Sequence, residues 1–74
     1  MKSLIDCDIN ILLTLVKVQI KDKLIFDRLC ILGLYPGSKF KITLKKTLLV
    51  LDIRRSRIII PLDIAEQLFV EEVI

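Results

Sequence analysis

The chain has 74 residues, of which 54% are hydrophobic and only 5% aromatic, and its net charge is +3. We therefore predict one small domain over residues 1–74 with a dense aliphatic core, because so short a chain buries only ~60% of its unfolded surface. The sequence lacks histidine, the commonest general base and metal ligand, and has neither a glycine-rich phosphate loop nor a nucleophile-elbow motif, which argues against an enzyme.

The mean hydropathy of +0.66 is too high for every apolar side chain to be buried in a body of this size. This indicates a surface that faces a partner, another copy or a membrane protein. Asp6, Asp8 and Asn10 interrupt the early apolar region, so no targeting segment is predicted and the chain is not expected to span a membrane. Cys7 and Cys30 are unclustered, as is typical of reduced thiols in the cytoplasm.

The first two predicted elements are a strand and a helix. Apolar and polar residues nearly alternate over 13–21, with either Leu15 or Val16 facing inward, as in a half-buried strand. Asp22 is the predicted N-cap of a helix that runs to residue 32. The buried face of that helix is predicted to comprise Ile25, Leu29 and Leu32.

A helix stop and a tight turn follow in the stretch "CILGLYPGSKFKI". Gly33 is predicted at the C′ position with positive φ, which a residue without Cβ adopts freely. Leu34 can then pack on Leu29, as the Schellman motif prefers. Tyr35–Ser38 has proline second and glycine third, so it fits a type II turn that leads directly into a strand.

Two alternating strands are predicted after this turn, over 38–46 and 47–54. On the face opposite to the inward residues, most positions are polar or charged, and three of them are lysines. The predicted inward residues are Phe40, Ile42, Leu44, Leu49, Leu51 and Ile53.

The last third is predicted to hold one more buried strand, a short helix and a closing strand. A turn at Arg55–Ser56 leads into the apolar run 57–62, which Pro61 ends because proline cannot donate to a ladder. Asp63 and Glu66 form a D-x-x-E capping box that starts a helix over 63–69, and residues 70–74 close the sheet. The fold class is thus mainly β: a small antiparallel barrel of about five strands, with one helix after the first strand and a short helical turn near the C-terminus.

Two basic groups are candidates for binding. The group that follows a single strand comprises Lys39, Lys41, Lys45 and Lys46. The group around the later turn comprises Arg54, Arg55 and Arg57. The ordinary interpretation is a solvated outer face with edge-protecting lysines. The functional alternatives are contact with an acidic protein surface or a nucleic-acid-binding barrel, and the second is less favoured because exposed aromatic stacking platforms are lacking. No metal ligand set is predicted, since only two isolated cysteines and scattered carboxylates are present.

A contact surface is predicted near the end of the first helix. Ile31 lies off the buried helix face, Arg28 precedes it by one turn, and Tyr35 follows in the turn. These residues could form an apolar spot with a basic rim to which Arg55 and Arg57 contribute. The alternative is that Ile31 packs under the first strand and Tyr35 only covers the barrel end.

The stretch "DRLCILGLYPGSKFKI" resembles the FeoA family, the small cytoplasmic partner of the bacterial ferrous-iron transporter FeoB. The family pattern is a basic helix, then L-x-x-L-G-L-x-P-G-[ST], then an alternating strand. The matching residues are Leu29, Leu32, Gly33, Leu34, Pro36, Gly37 and Ser38. The resemblance covers about residues 14–73, and the same domain also ends metal-dependent repressors of the DtxR type. A chain that starts at Met1 and stops after one domain suits the stand-alone protein better.

The resemblance implies an SH3-like barrel without cofactor or catalytic residue, acting in ferrous iron transport by contact with the cytoplasmic side of FeoB. A weak homo-oligomer is a further expectation. The family is described as binding transition metals, but the sequence supports no such site. The chain departs from the pattern at Arg55, where glycine is usual, in the short connection at Lys46–Thr47, and at Asp8–Asn10, where Pro-Gly is usual.

Overall fold

The computed structural model describes residues 1–74 as one six-stranded antiparallel sheet with two α-helices. The strands lie in the order β1-β6-β2-β3-β4-β5. This mainly β architecture confirms the predicted small SH3-like barrel, with one strand more than expected. The elements are β1 (Lys2–Ser3), a 3₁₀ turn (Leu4–Asp6), β2 (Leu13–Val18), α1 (Lys23–Ile31), β3 (Lys39–Lys45), β4 (Leu48–Ile53), β5 (Ser56–Pro61), α2 (Leu62–Ala65) and β6 (Leu68–Glu72).

One cluster of buried side chains fills the space inside the sheet, and nearly all of them are aliphatic. Strands contribute most of the cluster, while α1 contributes a single fully buried residue. The cluster comprises Leu4, Cys7, Leu13, Leu15, Leu29, Leu34, Phe40, Ile42, Leu49, Leu51, Ile53, Ile58, Ile60, Ala65, Leu68 and Val70.

Both predicted ends of α1 are confirmed. The Asp22 carboxylate accepts hydrogen bonds from the N–H groups of Leu24 (2.9 Å) and Ile25 (3.4 Å), which satisfies two donors that the helix leaves free. At the other end the Leu34 N–H donates to the Leu29 carbonyl at 2.8 Å. The N–H of Gly33, whose φ is +99°, donates to the Cys30 carbonyl at 3.0 Å. These two bonds define the Schellman motif.

The predicted buried face of α1 is wrong at Leu32, whose side chain is 51% exposed. The helix ends at Ile31, and Leu32 is the C-cap residue. The chain reverses at the glycine that follows, so Leu34 enters the core in its place and is fully buried.

The turn after α1 has the predicted type II geometry. Gly37 has φ +98°, and the Ser38 N–H donates to the Tyr35 carbonyl at 2.9 Å. The buried Ser38 hydroxyl donates to the same carbonyl at 2.7 Å, which fixes the exit of the turn into β3.

Two bulges decide which side chains face inward, and the sequence does not predict them. In β2 Leu15 is buried, and the register then shifts between Leu15 and Lys17, where the consecutive side chains of Val16 and Lys17 are both exposed. In β3 it shifts between Ile42 and Leu44, which turns Leu44 outward. The prediction that Leu44 faces the core is therefore wrong, because the extra residue of a bulge moves the following side chain to the other face.

The structure corrects the predictions for β5 and α2. Ile59 is 65% exposed, because β5 lies at the end of the sheet and alternates instead of being buried on both faces. Pro61 occupies the N-cap position of α2, so Asp63 and Glu66 form no capping box, and the Asp63 carboxylate accepts only from the adjacent Ile64 N–H. The helix ends at residue 65, and residues 68–72 pair with β2, which places Phe69 in a strand.

The N-terminal segment supplies structure that the sequence does not predict. β1 pairs with β6, and the 3₁₀ turn after it buries Leu4. Asn10 has φ +63°, a conformation that asparagine tolerates, and its N–H donates to the Ile42 carbonyl at 2.8 Å. Residues 8–10, where the family usually has Pro-Gly, are thus held against β3 through the Asn10 N–H.

The β4–β5 turn consists of Arg54 and Arg55, one residue earlier than predicted, and Arg54 has φ +55°. We predict that Arg54→Gly raises the free energy of unfolding by about 0.5–1 kcal/mol, because positive φ at the first central position favours glycine. Thermal unfolding measures this as a rise of a few degrees in Tm. Arg55→Gly is the matched control, since Arg55 has no positive φ and the change should only add entropy to the unfolded chain. A lower Tm for Arg54→Gly than for Arg55→Gly would contradict the prediction.

Candidate functional site

The end of α1, the type II turn and the β4–β5 turn lie side by side at one end of the molecule. A Cβ atom at Gly33 would lie 3.5 Å from Cγ2 of Ile53, the last residue of β4. Next to this contact, the Arg54 guanidinium donates to the Tyr35 hydroxyl at 3.0 Å. Residues that are distant in sequence therefore share one surface.

Exposed apolar side chains mark this surface. Ile31 is 84% exposed, and Leu32 and Tyr35 are partly exposed beside it. Ile31 therefore does not pack under the first strand, which was the alternative interpretation. We define the helix-end surface as Arg28, Ile31, Leu32, Tyr35 and Arg54; Arg55, predicted to contribute to its rim, is exposed in the same β4–β5 turn as Arg54.

Two members of this environment were missed or misassigned from the sequence. Leu32 was placed in the core, and the hydrogen bond between Arg54 and Tyr35 has no sequence signal because it joins residues 19 positions apart. Leu24 was missed as well: it is 75% exposed and lies seven residues before Ile31, so it continues the apolar side of α1. The i, i+7 spacing of Leu24 and Ile31 could have indicated this second apolar face.

Arg57, also predicted as a contact residue, lies on β5 and is exposed. In the sheet it pairs with Asp52, and Asp52 pairs in turn with Lys41, so the charges alternate in sign across three strands. Cross-strand neighbours of opposite charge stabilise a sheet modestly. This arrangement favours a solvated outer face for Arg57.

The lysines of β3 do not form a continuous row. Lys39 and Lys41 are exposed, but after the bulge the Lys45 ammonium donates to the Cys7 carbonyl at 2.9 Å. The strip that the nucleic-acid alternative requires is therefore interrupted at Lys45, and no observation of the structure favours that alternative.

The comparison with protein families gives a clear result. The family model described as "FeoA domain" matches residues 2–72. The chain belongs to the FeoA family. Searches of the curated proteins and of the solved structures gave no match.

The match extends the resemblance noted above to the N-terminal residues, so β1 and the 3₁₀ turn lie within the FeoA domain. FeoA proteins are small accessory proteins of ferrous iron transport and are not a known enzyme family. Neither helix of this FeoA domain has the length and apolar character needed to cross a membrane.

The residues of this FeoA domain do not fit a metal centre. No three histidine, cysteine, aspartate or glutamate side chains come together. Burial raises the pKa of the Cys7 thiol, and the nearby ammonium groups of Lys2 and Lys45 only partly oppose this. Cys7 is thus held in the protonated form, whereas a metal ligand must be a thiolate.

An open cleft of about 370 Å³ lies between the two chain ends, and it is mostly apolar. Cys7 and Leu13 contribute to its wall from the core side. Its remaining lining residues are Met1, Lys2, Val70, Glu71, Glu72 and Ile74.

Proposed function

We propose that this chain is a cytoplasmic, non-enzymatic accessory protein that acts in ferrous iron transport by contact with the cytoplasmic side of the FeoB transporter. Membership in the FeoA family supports a role in ferrous iron transport. The exposed helix-end surface supports a role by protein contact. The single observation that carries the proposal is the exposure of Ile31, a large β-branched side chain that is 84% accessible in a small protein.

The chemistry of the helix-end surface suits a protein partner. Ile31 and Leu32 offer apolar area whose burial is favourable, at roughly 25 cal/mol per Å². Arg28 lies one helical turn before Ile31, and Arg54 donates to the Tyr35 hydroxyl. Neither arginine forms a salt bridge within the chain, whose one ion pair joins Lys23 and Asp27. An apolar centre with a polar, positively charged rim is typical of a protein contact surface, and it favours an acidic patch on the transporter.

We predict that Ile31→Asp remains folded but binds FeoB at least about tenfold more weakly. The fold should tolerate the change because the side chain is exposed, whereas burying an isoleucine at an interface contributes roughly 1.5–3 kcal/mol. Titration calorimetry or a quantitative pull-down with FeoB from the same source measures the affinity, and circular dichroism checks the fold.

Ile59→Asp is the matched control, since Ile59 is also an exposed isoleucine but lies on β5. It should bind FeoB as the parent protein does. Equal affinity of Ile31→Asp and the parent would refute the helix-end surface as the contact. Absence of association, together with normal ferrous uptake in a deletion strain, would refute the proposed function itself.

A further inference from the structure

The outer edge of β5 has no hydrogen-bonding partner. β5 is the last strand of the sheet order, and its backbone pairs only with β4. None of the backbone hydrogen bonds formed outside helices and strands reaches residues 56–61. A free edge of this kind is a template for another strand.

The β4–β5 turn determines which residues face this edge. Ile53 and Ser56 flank the two-residue turn and form a hydrogen-bonded pair, after which bonded and non-bonded pairs alternate. Ile58 and Ile60 therefore bond to β4, while Arg57, Ile59 and Pro61 direct their backbone groups outward. Pro61 has a carbonyl acceptor but no N–H donor.

This pattern of donors and acceptors is complementary to itself. When two β5 strands lie antiparallel about Ile59, each Ile59 N–H meets the Ile59 carbonyl of the second copy. Each Arg57 N–H then meets the carbonyl of Pro61 of the second copy, so all four outward N–H groups are bonded. Only the two Arg57 carbonyls, which face the proline nitrogens, receive no hydrogen bond across the pair, and at the exposed edge they can bond to water. We propose that this chain forms a twofold-symmetric dimer through antiparallel pairing of β5 with β5 of a second copy.

The side chains on the outer face favour the same arrangement. Leu44 pairs with Val50, and Val50 pairs with Ile59, which makes an apolar row across three strands. Ile59, at the free end of this row, is 65% exposed. In the dimer it packs against Ile59 of the second copy, and one continuous apolar row crosses both sheets.

Charge complementarity selects a second copy as the occupant. The turn end of β5 carries Arg54, Arg55 and Arg57, whereas the opposite end leads into α2 with Asp63 and Glu66. None of these five side chains forms a salt bridge within the chain. Antiparallel pairing about residue 59 sets Arg57 opposite Pro61 of the second copy, the residue that leads into α2. The basic turn end of each copy therefore lies near the acidic start of α2 of the other.

Like charges stay apart in this dimer. Arg57 lies two residues from the twofold axis, so the two Arg57 residues are about 14 Å apart along the strands, beyond the screening length at physiological salt. The occupant we propose is therefore another FeoA chain, and the transporter is proposed to contact the helix-end surface instead.

Sedimentation equilibrium from about 10 μM to about 1 mM tests the proposal, because small interfaces associate weakly. The weight-average mass should rise from 8.6 kDa toward twice that value. Ile59→Lys should remain at the monomer mass, since it places two ammonium groups side by side at the axis. The control Ile31→Lys changes an isoleucine that is even more exposed, and it should associate like the parent.

Amide hydrogen exchange identifies the edge. In dilute protein the amides of Arg57 and Ile59 should exchange fast, while those of Ile58 and Ile60, bonded to β4, exchange slowly. At high concentration the first two should slow at least about threefold. Concentration-independent exchange at Arg57 and Ile59, or a dimer that survives Ile59→Lys, would overturn the proposal.

A charge exchange provides the last test. Arg55→Glu and Asp63→Lys should each raise the dissociation constant at least about threefold, and the double variant should restore it because the β4–β5 turn of each copy lies near the start of α2 of the other. Additive weakening in the double variant would overturn the antiparallel arrangement of the two β5 strands. These results do not depend on FeoB binding, so failure of the dimer and failure of the proposed function are distinguishable.

Discussion

Phe40→Ala should lower the free energy of unfolding by about 3–5 kcal/mol, the largest effect that we expect from any single substitution. Phe40 is 2% exposed and is the largest side chain of the core. It also lies where β2 and β3 pair at only two positions, Leu13 with Phe40 and Thr14 with Lys39. Backbone bonds between Leu15 and residues 37 and 38 extend this short contact, and the packing of Phe40 adds to it.

Urea unfolding followed by circular dichroism measures the loss. A protein of this length has a total stability of about 4–11 kcal/mol, so the variant should be close to unfolded at 37 °C. Phe26→Ala is the matched control, because Phe26 lies on α1 and is only partly buried. If Phe26→Ala costs as much as Phe40→Ala, then β3 does not join the two halves of the sheet in the way described.

Gly33→Val should cost more than about 1 kcal/mol, with about 2 kcal/mol expected. The φ of +99° is strained for any residue with a Cβ atom and most strained for a β-branched one. The added side chain would also grow toward Ile53 Cγ2, which a Cβ alone would approach to 3.5 Å. Thermal unfolding should show a drop in Tm of several degrees.

Leu32→Val is the control at the neighbouring position, where φ is −74° and the side chain is half exposed. It should change stability by less than about 0.5 kcal/mol. Gly33→Asn should fall between the two, since asparagine tolerates positive φ better than valine. An unchanged Tm for Gly33→Val would mean that α1 does not depend on a left-handed residue to end.

Most of the successful predictions concern features formed by residues that are close together in the sequence. The Asp22 cap, the Schellman stop at Gly33 and the type II turn at Tyr35–Ser38 are all present, because each depends on residues within six positions of one another. The strand β4 is also as predicted, with Leu49 and Leu51 buried. Periodicity predicts such a strand wherever the ladder is regular.

The candidate site was predictable in part. The exposure of Ile31 was one of two interpretations that the sequence allowed, the other being that Ile31 packs under the first strand, and the structure decides for exposure. It also adds Arg54 and Leu32 to the surroundings of Ile31 and Tyr35. The pairing of Arg57 with Asp52 could not be predicted, because it depends on which strand pairs with β4 and in which register.

The sequence by itself determined the family, the mainly β fold class, the limits of α1 and the turn that follows, because these depend on short-range spacing and on residues with special backbone preferences. The tertiary structure alone decided the outward direction of Leu44, the shortened α2 and the strand position of Phe69. In each case pairing with a strand distant in sequence outweighed a weak local preference: one bulge residue reverses a face, and a sheet partner gives residues 68–72 more hydrogen bonds than a second helical turn would. The free edge of β5 likewise exists only because the order of strands ends there.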